Sequence, residues 1–176
     1  MTELAAHKIV VGIDGTEASV AALRWATRQA HALHADVVAV HAWDPTARHL
    51  AAYAPVAAHP TDAEQRDEAA HLLASTLRAV FGTRIDGAVR AVLAQGPPAR
   101  VLLNHADGAL LLALGRRSDK QRGLPALGVV GRECLRHASV PVVTVPAVDR
   151  STASLREADA NVLAGQTGPL LASRHG

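Results

Sequence analysis

Short apolar runs and amphipathic stretches alternate along this chain. HKIVVGID is an apolar run closed by Asp14 and Gly15, and it reads as a first strand. Thr16 or Ser19 can cap the helix that follows, which runs to about Ala35. Leu23, Ala26, Ala30 and Leu33 recur at helical spacing on one face of it. DVVAVHAW, from Asp36 to Trp43, reads as a second strand and opens into a long loop with Pro45, Pro55 and Pro60. Thr61-Asp62-Ala63-Glu64 has capping-box spacing and starts a second helix, which Gly82 can end. A third strand is expected around Ala88 to Leu93. Gly96-Pro97-Pro98 then turns the chain into a third helix near Ala99 to Ala106. ALLLAL reads as a fourth strand that turns at Gly115. A fourth helix, about Leu127 to His137, leads through Pro141 to a fifth strand, PVVTV.

This order predicts an α/β fold: an open, doubly wound, five-stranded parallel sheet with helices on both faces. The strand order expected for that class is 3-2-1-4-5. Such sheets bind ligands at the carboxyl ends of their strands, where the strand order reverses. The GIDGT loop after the first strand and the loop at Gly115 would then face one crevice. One domain over residues 1–148 is expected. Residues 149–176 are rich in Ala, Ser, Gly and charge, and are expected to form a flexible tail.

Composition narrows the partners. Of 176 residues, 49% are hydrophobic but only 2% aromatic, so the core must be built from Ala, Val and Leu. The net charge of +2, from 18 basic and 16 acidic residues, is too balanced to argue for nucleic acid. No apolar run approaches the roughly 20 residues that span a bilayer. The first residues pass straight into a strand without a signal-like segment. A single cysteine, Cys134, excludes an intramolecular disulfide and reads as core packing. Together these point to a cytoplasmic protein.

Candidate chemistry concentrates in two loops. A strand, a glycine-containing loop and a helix present backbone N–H groups to a phosphate, and Gly115 and Gly128 frame such a segment. The same glycines suit a turn and a helix entry. Asp14, at a strand end, can accept from ribose hydroxyls or act as a turn former before Gly15. Arg116, Arg117 and Arg122 can neutralise phosphate charge, or stay solvated. His31 and His34 lie three apart on a helix, without a third ligand nearby in sequence, so no metal is expected. No nucleophile elbow or paired-carboxylate signature appears, and the chain is not expected to be an enzyme.

KIVVGIDGTEAS, AVHAWDP, VLAQGPPARVLL and the segment Leu114 to Val145, with LRHASVPVVTV, resemble the universal stress protein family in order and spacing. They cover most of residues 7 to 146. The resemblance implies an adenine-nucleotide site, with ATP or another adenine nucleotide as the ligand and a role in stress responses. It implies phosphate contacts from Gly115, Arg116, Arg117, Ser118, Gly128, Val129 and Val130, an adenosine contact from Asp14, and backbone contacts to adenine near Gly12 and Val40. Nucleotide-binding members carry glycine where Ser118 stands, and Ser or Thr where Val129 stands. If position 118 needs a positive φ, Ser costs about 1 kcal/mol there. Val129 lacks a donor worth about 1–2 kcal/mol to a charged group. The resemblance therefore implies a weakened site, about 10- to 100-fold below an intact one. It also implies a homodimer paired through Val140 to Val145. The alternative is a nucleotide-free dimeric interaction protein with a decayed site.

Overall fold

The computed structural model describes residues 7–45, 60–83, 87–118 and 125–147. The expected tail and the loop residues Pro55 and Arg122 lie outside them. The elements are β1 (Lys8–Gly12), α1 (Glu17–Leu33), β2 (Asp36–Trp43), α2 (Asp62–Phe81), β3 (Val89–Gln95) and α3 (Pro98–Ala106), followed by β4 (Leu111–Ser118), β5 (Pro125–Ala126), α4 (Val129–His137) and β6 (Val142–Pro146).

The five long strands are parallel in the order β3-β2-β1-β4-β6, which is the predicted 3-2-1-4-5 counted over long strands. The two-residue β5 pairs antiparallel with the end of β4. Side chains alternate across the sheet with period two. Ile9, Val11, Val37, Ala39 and Ala113 pack under α1 and α2, against Leu23, Ala26, Leu73 and Leu77. Val10, Val38, Val40, Leu112 and Leu114 face the other way, onto Val101, Leu102 and Ala106 of α3 and Cys134 of α4. Small α1 residues with no accessible surface, Ala22 and Ala26, let that helix lie close to the sheet.

Local signals in the sequence place the helix starts. Thr16 caps α1, accepting from Ser19 N at 3.2 Å. Thr61 and Glu64 form both halves of the capping box of α2, and Gly82 closes that helix at φ 67°. One expectation is corrected. The chain does not turn at Gly115; β4 continues through it to Ser118, because Gly115 and Arg116 stay in register with Val145 and Pro146 of β6. Glycine is required there by packing. A Cβ on Gly115 would meet the carbonyl oxygen of Ala18 and the nitrogen of Ser19, each at 2.6 Å. The first turn of α1 lies directly on the β4 backbone.

Candidate functional site

The sheet splits at its carboxyl edge between β1 and β4, whose connections leave toward opposite faces. A crevice of about 510 Å³ opens there. Its floor is apolar: Val40 and Ala42 of β2, Leu102 of α3 and Leu114 of β4. One wall is the β1–α1 turn with Gly12, Ile13, Asp14 and Thr16. The opposite wall is the start of α4, with Gly128, Val129, Val130 and Gly131.

The α4 wall is a donor surface. Gly128 is the N-cap and makes no side-chain capping bond. The first intrahelical bond is Arg132 N to Gly128 O at 3.1 Å. The amides of Val129, Val130 and Gly131 therefore have no acceptor within the helix. With the helix dipole they favour an anion at this end, and no acidic residue stands in the first turn. A Cβ on Gly128 would meet no atom within 4 Å, and its backbone is extended, so the fold does not demand glycine there. Val129 is 74% exposed, an apolar side chain at the rim.

The β1–α1 wall is an acceptor surface. Asp14 Oδ1 accepts from Thr16 N at 3.0 Å and from Thr16 Oγ1 at 2.6 Å. The turn-forming role is thus filled by one carboxylate oxygen of an exposed residue, which leaves Oδ2 for a ligand. Gly12 lies tight under Leu114, whose Cδ2 would be 2.8 Å from an added Cβ.

The structure gathers most of the sequence candidates. Gly12, Asp14, Val40, Gly115, Arg117, Gly128, Val129 and Val130 all line the crevice. Arg116 does not. Its Nε is buried without a partner among the described residues. Ser118 ends β4, and its side chain lies outside the described set. The Val40 carbonyl is already engaged, accepting from Ile13 N at 2.8 Å. Sequence reasoning passed over His41. Its Nδ1 lies 2.8 Å from the Ile13 carbonyl, and the residue lines the crevice. The available signal was a polar ring interrupting the apolar run VVAV. Among the described residues no group of three or more His, Cys, Asp or Glu is placed to hold a metal. No described helix is long and apolar enough to cross a membrane.

The profile of the universal stress protein family matches residues 5–146. Universal stress protein Rv2623 of Mycobacterium tuberculosis is 29% identical over 164 residues, covering 91% of this chain and 54% of that protein. The chain thus spans about half the length of that relative. A universal stress protein solved in complex with cAMP has a similar fold, with TM-score 0.57 at 18% identity over 81% of this chain and 98% of that one. The universal stress protein from Archaeoglobus fulgidus solved with dAMP gives 0.53 at 20% identity, over 78% and 96%. With its sheet order, its switch-point crevice and a profile match across nearly all the described residues, this chain belongs to the universal stress protein family.

Proposed function

We propose that the chain binds an adenine nucleotide in the switch-point crevice and uses it as a regulatory ligand in a stress response. The observation that carries this is the uncapped α4 N-terminus facing an apolar slot, with Asp14 on the opposite wall. An apolar floor suits a purine, a carboxylate at a strand end suits ribose hydroxyls, and free amides suit a phosphate. Two solved members of the family were captured with cAMP and with dAMP, which supports an adenine ligand. Val129, with no side-chain donor at the rim, favours weakened phosphate binding. Arg117 offsets part of that loss. The site acts by binding, and a shift in conformation or partner choice follows from different affinities for two states. The protein works as a cytoplasmic homodimer.

Calorimetry with ATP, ADP, AMP and cAMP tests this reading. Asp14→Ala is expected to weaken any adenosine ligand by about tenfold while leaving the fold intact. Ser118 ends a strand and has no positive φ, so the pair Ser118→Gly and Val129→Ser is expected to tighten ATP by about 1–2 kcal/mol, from the side-chain donor gained at position 129. If the restored protein binds none of the four, the nucleotide reading fails. The nucleotide-free interaction protein then stands, in agreement with the exposed valine at the rim.

A further inference from the structure

Beyond Gly12 the chain leaves the sheet for the β1–α1 turn, which carries Asp14. Asp14 is exposed, so packing does little to fix its carboxylate. Its aim depends on the backbone beneath it, and that backbone is held at several points. Ile13, only 4% exposed, donates its N–H to Val40 O at 2.8 Å. Thr16 N and Thr16 Oγ1 donate to Asp14 Oδ1. Gly15, at φ 77°, lies against Leu72 of α2, whose Cγ would be 3.1 Å from an added Cβ.

The remaining freedom is ψ of Ile13, which sets the direction in which the chain leaves β1 and so where Asp14 stands. Because the peptide is planar, the Ile13 carbonyl turns with that torsion, and a donor that holds the carbonyl holds the torsion. His41 Nδ1 lies 2.8 Å from the Ile13 oxygen. A carbonyl can only accept, so Nδ1 carries the proton whether the ring is neutral or charged. The ring stands on a fixed mount. His41 is the first β2 residue past the β1 register, and β2 is still paired there with Leu93 of β3. Consecutive residues of β2 thus clamp both polar groups of Ile13, Val40 through its main chain and His41 through its side chain.

We infer that His41 is a positioning residue for Asp14: by fixing the Ile13 carbonyl it sets the carboxylate where its Oδ2 meets the ribose hydroxyls of the ligand. The inference rests on the adenine-nucleotide reading of the crevice. A carboxylate placed before the ligand arrives loses less freedom on binding. That gain goes only to ligands that hydrogen-bond it. The base and the phosphate meet other parts of the crevice, the apolar floor and the start of α4. The contribution of His41 therefore appears in the ribose contact alone. A histidine that merely supported the fold would cost every ligand alike.

The test compares AMP with 2′,3′-dideoxy-AMP, which lacks both ribose hydroxyls, by calorimetry on the full chain. Wild type should prefer AMP by about tenfold. His41→Leu removes the Nδ1 donor, and the preference should fall to about threefold or below through weaker AMP binding, with dideoxy-AMP unchanged. His41→Asn should restore the preference, because the Asn amide nitrogen sits where Nδ1 does. In an Asp14→Ala background, His41→Leu should cost AMP nothing further, since the group it positions is gone. In the intact protein, nitrogen chemical shifts should show neutral His41 as the Nδ1–H tautomer. A His41→Leu protein that loses both ligands equally, or that keeps the full AMP preference, overturns the inference and leaves the nucleotide reading standing. The Nε2–H tautomer does the same. A wild type that binds both ligands equally overturns the ribose role of Asp14 together with the inference. A wild type that binds neither overturns the nucleotide reading itself.

Discussion

Gly115 and Gly128 are alike in the sequence and opposite in the structure. At Gly115 a methyl group would collide with the backbone of Ala18 and Ser19, which cannot swing aside as a flexible side chain can. At Gly128 it would meet open space. Gly115→Ala should therefore cost about 3 kcal/mol or more, by forcing α1 off β4. Gly128→Ala should stay within about 1 kcal/mol, the difference between the two as N-cap residues. Urea denaturation of both variants checks the contrast, and equal losses would refute it. The spacing of the two glycines was visible in the sequence. Their division of labour was not, because it depends on which backbone passes within contact distance. Cys134 was easier to read. It has no accessible surface, and burial, assisted by Glu133, pushes its thiol up to about 11. The native protein should resist iodoacetamide at pH 8 and react stoichiometrically once unfolded. Fast native labelling by mass spectrometry would show that α4 opens readily.

Among the elements, the helices were legible from their ends and the strands from their apolar runs. β2 matches its sequence reading from Asp36 to Trp43, and the start of α2 was set by Thr61 and Glu64. β4 was cut short because a glycine after an apolar run reads as a turn. The pairing of Gly115 with Val145 lies 30 residues away in sequence and leaves no local trace. The capping box yields a pH prediction. Backbone and side-chain hydrogen bonds from Thr61 hold the Glu64 carboxyl below its ordinary value of 4.5. A carboxyl depressed in the folded state stabilises above its unfolded value, and that contribution is lost as pH falls through the folded one. Thr61→Ala should lower the melting temperature at pH 7. The gap from wild type should narrow below pH 4.5. A gap that stays constant down to pH 3 would mean that the carboxylate does not engage the cap.

At the scale of the whole molecule, the five long strands described end in two edges, β3 and β6, and these differ. β3 carries Arg90 and Gln95, polar residues that discourage pairing with another chain. β6, VVTVP, carries no charge, and its four residues from Val142 to Val145 are half-buried. Such an edge invites a second copy across a two-fold axis. Leu112 N donates to Pro141 O, and Ala147 N donates to Arg116 O, so the odd-numbered residues of this stretch bond to β4. Thr144 is even-numbered and turns its N–H outward. Thr144→Pro thus removes a donor from the free edge without breaking a rung to β4, a place where a strand tolerates proline. Val143→Pro removes an inner donor and should destabilise the fold itself. If β6 forms the dimer seam, wild type should be dimeric at micromolar concentration by light scattering. Thr144→Pro should then be monomeric, with the circular dichroism of a folded α/β protein. A monomeric wild type would refute the seam outright. A Thr144→Pro protein that remains a dimer would move the interface off this edge, onto a surface where the backbone donor of residue 144 plays no part.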